Sequence, residues 1–480
     1  MTGLTPTARE LCLVVLLLSS LVFFLSRSTV PTWSVNLGSE AVIQTDTNSK
    51  DLSLTSQDDT GSQLPYQYGS NRLDGFPETT IVAHVPGWTI FDKLYICNGT
   101  AYVVTDHPDS IPDRNHIIST GKDIHNGPEE VASRLPTDKE MRIVSRKEAA
   151  EIFGVESSSR IDGVSWWVND PSQFIMHYYH WSAELFFGLW RTYSSLDPTI
   201  PANGTTHLPP PRRMVFTHID AHHWRDYASM SEWVTRSAFP SISFEFNQDW
   251  QERTSMARPF VFDRVVLADR SAAMKSYNFL RTQRTASVPF ALPGSPHWWA
   301  TIRHSVMLFS GYRPEAQEKD KYVITYISRQ EWGRRMLIQR DHERLVEELY
   351  KLRDTYGYEV NVVASEKLSR VEQLQLAGRT TIMMGVHGNG LTSLVWMQPT
   401  RRSTVMEFFF PGGFAHDYEW TTRALGMVHF GFWGDRSFTR PNVPEVKYPE
   451  GFQGNEIPID GAAVARLCHQ RLTLAEETDD

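Results

Sequence analysis

Cysteine is scarce in this chain of 480 residues, which contains only Cys12, Cys97 and Cys468. No Cys-x-x-Cys pair and no Cys/His spacing typical of zinc occurs, so a disulfide-dense scaffold and a structural zinc site are excluded. Cys12 falls in an apolar run. Cys97 and Cys468 are therefore either one disulfide between the two ends of the folded part or two unpaired buried thiols.

The chain also lacks the excess of basic residues that a nucleic-acid-binding face requires. Lys and Arg number 47 against 56 Asp and Glu, which gives a formal net charge of −9. This balance argues against a nucleic acid partner. Hydrophobic residues make up 41% and charged residues 21%, which is ordinary for a globular enzyme. At about 150 residues per domain, the length predicts two or three domains.

Long hydrophobic runs are limited to residues 11–25, a stretch without any charged side chain. The run is shorter than the roughly 17–25 residues of a full span, and no small-residue cleavage site follows it. A cleavable signal peptide is the alternative, but we expect an uncleaved signal anchor in type II orientation. Residues 1–10 are then a cytoplasmic tail. Residues 26–75, rich in Ser, Thr, Asp, Asn, Gln and Gly, predict a flexible stem.

Two sequons support a lumenal body, because N-glycosylation requires Asn-x-Ser/Thr in a secretory compartment. They begin at Asn98 and Asn203, which we predict to be glycosylated. A tail, a short anchor, a polar stem and a large lumenal body form the layout of an early-secretory-pathway transferase. We therefore expect a single-pass type II protein of the Golgi or endoplasmic reticulum membrane.

Strand and helix patterns alternate in residues 313–430, which we predict to be the carboxy-terminal lobe. The β-rich runs are residues 322–328, 358–364, 381–386 and 404–409. Helical spacing separates them, and the loops are short. Such alternation predicts an α/β fold with right-handed parallel crossovers and a Rossmann-like sheet. Residues 76–312 form an amino-terminal lobe, and residues 431–480 wrap back over one of the lobes.

A glycine turn, His387-Gly388-Asn389-Gly390, follows the third of these strand runs. Ligands of open parallel sheets bind beyond the carboxyl ends of the strands, and glycines let backbone amides approach an anion. The helix predicted to begin near Leu391 would point its amino terminus at the same place. His387 and Thr392 could add side-chain donors. The pattern predicts an anion site.

Basic residues follow the first strand run at the same sheet edge. Ser328 and Arg329 come directly after this strand, and Arg334 and Arg335 lie close behind. Guanidinium groups bind a diphosphate in bidentate fashion and stabilise charge on a leaving group. Glu407 lies within an apolar strand run, where a buried carboxylate either binds a ribose diol or forms a structural ion pair.

Candidate catalytic residues lie in the amino-terminal lobe. His180 and Glu184 are four residues apart on one helical face, which suits a base and the carboxylate that orients it. Asp220 lies in the histidine-rich segment 218–226, which could be an acid/base site, a metal site or a polar loop.

Together these motifs resemble glycosyltransferase family 61, which includes an EGF-domain-specific O-linked N-acetylglucosamine transferase and plant xylosyltransferases. The resemblance covers roughly residues 170–410. It rests on five elements: the His-aromatic-x-x-Glu of His180–Glu184, the strand-Ser-Arg of Tyr326–Arg329 with Arg334-Arg335, the helix at Arg370–Ala377, the HGxGLT turn of residues 387–392 and the strand with Val405-Met406-Glu407. The family's usual small residue in the turn is here Asn389.

The resemblance implies a GT-B fold of two Rossmann-like lobes with the active site between them. It implies an inverting glycosyltransferase that moves GlcNAc or xylose from a nucleotide sugar, a UDP-sugar, to a glycan or glycoprotein hydroxyl without a required metal cofactor. His180, Glu184 and Asp220 are then candidates for base or acceptor orientation. Two alternatives stay open: a metal-dependent hydrolase built on residues 218–226, and a non-catalytic membrane-anchored glycan-binding protein.

Overall fold

The computed structural model describes residues 55–57, 63–65, 72–313 and 321–475. The chain divides into two compact units, residues 1–66 and 67–480. In the first unit, strand β1 (Thr55–Gln57) pairs antiparallel with β2 (Gln63–Pro65). The anchor predicted at residues 11–25 lies outside the described residues. Within the described part, no helix combines the length and apolarity needed to cross a bilayer.

The second unit begins with a mixed sheet of nine strands in the order β10-β9-β8-β11-β5-β6-β7, with β3 beside β8 and β4 beside β5. The strands are β3 (Arg72–Asp74), β4 (Thr80–Val85), β5 (Trp88–Cys97), β6 (Thr100–Val104), β7 (Met141–Val144), β8 (Ser157–Val168), β9 (Arg213–Phe216), β10 (Ser243–Glu245) and β11 (Phe260–Ala268). Strands β10, β9, β8 and β11 run parallel, whereas β11, β5 and β6 are antiparallel neighbours. Only part of this sheet therefore has the parallel pattern of a Rossmann-like lobe.

The second sheet has six strands in the order β13-β12-β14-β15-β16-β17. They are β12 (Val323–Ile327), β13 (Glu359–Val363), β14 (Ile382–Val386), β15 (Thr404–Phe408), β16 (Val428–Trp433) and β17 (Arg436–Phe438). All neighbours are parallel except β16 and β17. Every residue of β12, β14 and β15 is buried, as expected of parallel strands covered on both faces. The predicted parallel sheet is confirmed.

Helices connect these strands. The α-helices of the described residues are Arg114–Ile117, Pro128–Ser133, Arg146–Phe153, Ser172–Ile175, Phe187–Tyr193, Met230–Ala238, Asn247–Ser255, Arg270–Ala273, Tyr277–Thr282, Ala300–Phe309, Gln339–Tyr356, Arg370–Arg379, Asp417–Ala424 and Gly461–Leu472. Shorter 3-10 helices are Pro108–Ser110, Ser194–Leu196, Thr285–Ala291, Ser365–Lys367 and Asn389–Trp396, and His180–Phe186 is a π-helix. The apolar element after the glycine turn is thus a 3-10 helix.

One hydrophobic core serves both sheets. It includes Trp166 from β8, Trp181 from the π-helix, Trp299 just before the helix Ala300–Phe309, and Trp396 and Val405 from the six-stranded sheet's side. A second core lies on the other face of that sheet, where the helices Gln339–Tyr356 and Gly461–Leu472 pack. Burial of side chains shared by the two sheets keeps their facing edges close together.

The carboxy-terminal residues complete the second sheet rather than following it. The boundary predicted between residues 430 and 431 falls inside β16, which hydrogen-bonds along β15. Two apolar residues near the chain's end, Val464 and Leu472, are buried in the core of this sheet. The predicted wrap-back segment is therefore part of this sheet's own packing.

The two cysteines of the folded part are free thiols in separate places. Cys97 is buried at the end of β5, whereas Cys468 packs in the second core with its sulfur 3.8 Å from the sulfur of Met406. The disulfide considered from the sequence is wrong, and the alternative of two buried thiols holds. Burial raises the pKa of both thiols, so neither is a reactive thiolate at neutral pH.

Candidate functional site

The candidate site begins where the strand order of the six-stranded sheet reverses. The chain passes from β12 to β13 on one side and then to β14 on the other. In open α/β sheets a crevice forms at this switch point, beyond the carboxyl ends of the strands. Ser328 and Arg329 follow β12, and the turn His387–Gly390 follows β14. The fold thus brings together the two motifs that the sequence assigned to an anion.

Close packing explains the glycines of this turn. A Cβ atom added to Gly388 would lie 2.8 Å from Nη1 of Arg329, and one added to Gly390 would lie 2.8 Å from Cγ2 of Ile327. Both distances are too short for a real Cβ contact. The missing side chains therefore let the turn pack against the end of β12 and against the Arg329 guanidinium.

Arg329 is a partly buried cation without a partner. None of the described residues accepts a hydrogen bond from it, and its Nε is buried with no partner. Burial, together with the nearby Arg335, lowers the pKa of Arg329 below its ordinary value. Within the described ranges, the Arg335 side chain bonds neutral groups alone, donating to Oε1 of Gln453 at 2.6 Å and to the His387 carbonyl at 3.4 Å. Two neighbouring arginines without a carboxylate favour a bound anion.

A cavity of about 480 Å³ opens beside these residues, within the usual size of a small-ligand site. It lies between the carboxyl edge of the six-stranded sheet and the amino-terminal lobe. Its lining residues are Tyr178, Asp226, Tyr227, Ala228, Met230, Ile327, Ser328, Arg329, Trp332, Ser365, Glu366, Leu368, Ser369, Arg370, Gln373, Asn389, Gly390 and Ser393. Four residues assigned from the sequence to the donor therefore line one cavity: Ser328, Arg329, Asn389 and Gly390.

Other residues assigned to the donor do not line this cavity. Leu391 and Thr392 are 1% and 0% exposed and belong to the core under the turn. Arg334 is exposed but is not among the lining residues. His387 lies at the Arg335 side of the turn, so it borders the arginines instead.

Glu407 is buried between two histidines. It is 0% exposed, with Oε1 at 2.5 Å from Nδ1 of His387 and Oε2 at 2.8 Å from Nε2 of His429. Both oxygens are thus occupied by imidazoles, and Glu407 does not line the cavity. These contacts favour the structural alternative over a ribose diol, and direct donor binding by Glu407 stays a prediction. A carboxyl group in this position fixes the orientation of His387.

The protonation of this trio follows from burial. Burial, with Asp417 and Glu419 nearby, raises the pKa of Glu407 well above its usual range, and burial lowers the pKa of His387 and His429 to about 4 each. Nδ1 of His429 is buried without a partner, which suits an unprotonated nitrogen, so Nε2–H of His429 donates to Glu407. The protonated carboxyl then donates to Nδ1 of His387. This leaves the His387 ring proton on Nε2, where it can be donated to an anion.

His387 and Glu407 form one histidine–glutamate dyad, and the π-helix His180–Phe186 carries a second, His180 and Glu184. Nδ1 of His180 lies 2.6 Å from Oε2 of Glu184, and Arg270 donates to the same oxygen at 2.9 Å. Burial would raise the pKa of Glu184, but Arg270, His180 and Arg284 hold it well below its ordinary value. Glu184 is therefore a buried carboxylate that orients His180, as the sequence predicted for this pair.

The sequence reasoning missed Asp417 and Arg284, which connect the two dyads. Arg284 donates to Oδ1 of Asp417 at 2.7 Å and lies 3.9 Å from Glu184. Burial would raise the pKa of Asp417, but Arg284, His387 and His180 hold it below its usual range. Asp417 is thus an ionised side chain near both His180 and His387. It follows the last strand assigned to the site, and no motif marked it.

Asn389 links the glycine turn to the π-helix. Its side-chain Oδ1 accepts from the backbone N–H of Tyr179 and from Oγ1 of Thr392, at 3.2 Å each. Tyr179 immediately precedes His180, and its hydroxyl donates to the Asp417 carbonyl at 2.8 Å. The side chain that departs from the family's small residue therefore holds the two dyads in a fixed relation.

The histidine-rich segment of residues 218–226 does not converge on one point. Nε2 of His218 bonds Asn169 at 2.9 Å, while Asp220 accepts from His223 and from the backbone of its own loop. Within the described part of the chain, no group of three or more His, Cys, Asp and Glu could hold a metal ion. Asp220 caps its own loop and is not among the residues that line the cavity, and its catalytic role stays a prediction.

The fold and this site define the class: an α/β protein with an arginine-lined crevice at a sheet switch point and a histidine–carboxylate dyad in its amino-terminal lobe. Residues 178–406 match the family described as Glycosyltransferase 61. This segment belongs to glycosyltransferase family 61, as the motifs predicted, and the match indicates a glycosyltransferase. No curated protein matches the chain.

Proposed function

We propose that this protein is an inverting glycosyltransferase whose donor is a nucleotide sugar. The unpaired Arg329 guanidinium carries the proposal, because a partly buried cation at the switch-point turn needs an anion, and a diphosphate fits. The cavity beside it has room for a nucleoside. His180 and its carboxylate support the acceptor side, since transfer to a hydroxyl needs a base.

In the proposed reaction, Nε2 of His180 accepts the proton of the acceptor hydroxyl. The acceptor oxygen forms a bond to the anomeric carbon from the face opposite the diphosphate. The bond from that carbon to the diphosphate breaks, and its electron pair leaves with the nucleoside diphosphate. Glu184 stabilises the imidazolium that forms at His180, and Arg329, Arg335 and the Nε2–H of His387 stabilise the leaving group.

We further propose that turnover requires no metal. Arg329, Arg335 and the first amides of the 3-10 helix Asn389–Trp396 supply the positive charge that a metal ion would otherwise supply. They are preorganised around the turn, so they act without rearrangement. Activity should survive chelation by EDTA, and complete loss that manganese restores would contradict this proposal.

The remaining identities follow the family. We propose a UDP-sugar carrying GlcNAc or xylose as the donor and a glycan or glycoprotein hydroxyl as the acceptor. We also keep the expected localisation, a type II protein of the Golgi or endoplasmic reticulum membrane with its body in the lumen. Asn98 and Asn203 are both exposed, which supports their proposed glycosylation. A glycosidase that leaves the mobility of the secretory-expressed chain unchanged would contradict the lumenal assignment.

A donor panel tests the proposed function. The full chain is mixed with UDP-, GDP- and CMP-sugars, and both thermal stabilisation and release of the nucleoside diphosphate are measured. We expect one UDP-sugar to stabilise the protein and to release UDP. His180→Gln should keep the stabilisation but lose the release, because it removes the base and leaves the donor site intact. If no nucleotide sugar binds, the proposal fails.

A further inference from the structure

A second cavity lies beside the segments that carry Arg284 and Asp417. It has no role in the proposed reaction. Its volume is about 570 Å³. Its walls come from the segments around Tyr277–Thr282 and Thr285–Ala291 on one side, and from Asp417–Ala424 with residues 440–445 on the other. None of the residues that line the donor cavity lines this one.

Arginines held by one buried carboxylate dominate this cavity. Glu419 is 1% exposed, and its Oε1 accepts from Nε of Arg423 at 3.1 Å and from Nε of Arg440 at 2.9 Å. His416 lies 3.1 Å from the other oxygen. Both arginines bond the carboxylate through Nε, and no described residue accepts a hydrogen bond from their Nη groups. The carboxylate thus fixes two guanidinium groups while leaving their outer nitrogens available.

A third arginine adds to the positive charge. Arg281 lines the cavity, and none of the described residues forms an ion pair with it; its guanidinium lies 5.7 Å from the ring centre of Tyr277. Three arginines and one glutamate, Glu445, line the cavity, and Glu419 lies behind two of the arginines, so the positive side chains outnumber the carboxylates. Such a surface favours a carboxylate, sulfate or phosphate group.

The rest of the lining suits a sugar ring. Asn278 offers its side-chain amide, whereas the hydroxyls of Thr282 and Ser287 bond each other and the backbone. Phe290 and Trp420 pack edge to face with ring centres 5.5 Å apart. Neutral hydrogen-bonding groups beside aromatic rings match the mixed polar and apolar faces of a saccharide. An acidic peptide would use the arginines but not this neutral part.

We propose that this cavity is an acceptor subsite for an acidic sugar residue, a proposal that rests on the proposed glycosyltransferase function. The Arg284–Asp417 ion pair joins the two wall segments, because Arg284 immediately precedes Thr285–Ala291 and Asp417 begins the helix. A saccharide in the cavity therefore lies on the same elements that connect the two dyads. Its acidic group sets which glycan is accepted.

Binding of two matched glycosides to the full chain tests the proposal. The probes are 4-nitrophenyl β-glucuronide and 4-nitrophenyl β-glucoside, which differ only in the carboxylate, and calorimetry measures their affinities. We expect the glucuronide to bind at least ten-fold more tightly than the glucoside. Arg440→Gln and Arg281→Gln should each reduce this preference at least three-fold. Arg436→Gln, an exposed arginine outside the cavity, is the control and should leave it unchanged.

Equal affinities for the two glycosides would overturn the proposal. A loss of preference in Arg436→Gln as large as that in Arg440→Gln and Arg281→Gln would overturn it too. An Asp-containing tripeptide that binds as tightly as the glucuronide would also overturn it in favour of a peptide ligand. UDP affinity is measured in each variant and should not change, which shows that the variants are folded. If UDP fails to bind the unmodified chain while the glucuronide binds, the proposed donor fails and the acidic-sugar site stands.

Discussion

Replacing Arg329 by glutamine should weaken nucleotide binding without destabilising the protein. In most binding sites the two effects are mixed, because a binding residue also bonds its neighbours. Here the described residues provide no hydrogen-bond acceptor for Arg329, and its Nε is buried without a partner. The substitution therefore breaks no hydrogen bond within the described residues, although it removes the contact of the guanidinium with the Trp332 ring, whose centre lies 5.8 Å away. It also removes a cation whose burial already lowers its pKa, so the ligand-free protein should be as stable or more stable.

The magnitude follows from the contact that is lost. A hydrogen bond to a charged group contributes about 1.5–3 kcal/mol, and each 1.4 kcal/mol is about a factor of ten in affinity. Arg329→Gln should thus raise the dissociation constant of UDP by roughly 10- to 150-fold. The temperature of unfolding without ligand should stay the same or rise. Such opposite trends are the signature of a binding residue that carries strain.

Calorimetric titration of UDP and thermal unfolding of the same samples measure both quantities. Arg340→Gln is the matched control, since Arg340 has a side chain 72% exposed on the helix after β12. It should change neither quantity. Unchanged UDP affinity in a folded Arg329→Gln variant would refute the assignment of the anion to this turn. A stability loss of several kcal/mol would refute the claim that the guanidinium is unpaired.

Three further outcomes are expected. Glu184→Gln should destabilise the protein by about 3 kcal/mol in denaturant unfolding, because it removes one of the two carboxylates, Glu184 and Asp170, that form ion pairs with the buried Arg270; a loss below 1 kcal/mol would contradict the Glu184–Arg270 ion pair. Asn389→Ala should lower kcat more than it raises the donor KM, since it releases the helix of His180 rather than the donor; an effect on KM alone would contradict a positioning role. Burial opposes ionisation of Asp263, but Arg160 and Lys93 hold its pKa at about 2. Asp263 should therefore contribute about 2 kcal/mol to the free energy of unfolding above pH 4, and this contribution should be lost as the pH falls towards 2. Asp263→Asn should reduce this pH dependence in acid unfolding.

The six-stranded sheet could be predicted from the sequence because its strands are continuous apolar runs separated by helical spacing. Burial on both faces produces such runs. The nine-stranded sheet was harder, because its order joins strands far apart in the chain, such as β5 and β11. Antiparallel pairing over that separation leaves no local pattern, so the strand order of this sheet was not predicted.

The candidate site could likewise be predicted only where a local sequence pattern marked its residues. Arg329 and the turn His387–Gly390 were found because they directly follow strands, where a sheet places its ligands. The role of Glu407 could not be predicted, because its position within an apolar strand does not show whether the carboxyl group contacts a ligand or a histidine. Arg284 and Asp417 are 133 positions apart, and their ion pair depends on how the two sheets pack.

The stereochemistry of transfer tests the central claim most directly. The full chain is incubated with its UDP-α-sugar and an acceptor, and proton NMR follows the anomeric signal of the new linkage. A single displacement assisted by His180, with the diphosphate leaving towards Arg329, predicts a β-linked product from the first turnover. An α-linked product would contradict the account, because retention requires a different arrangement of nucleophile and leaving group.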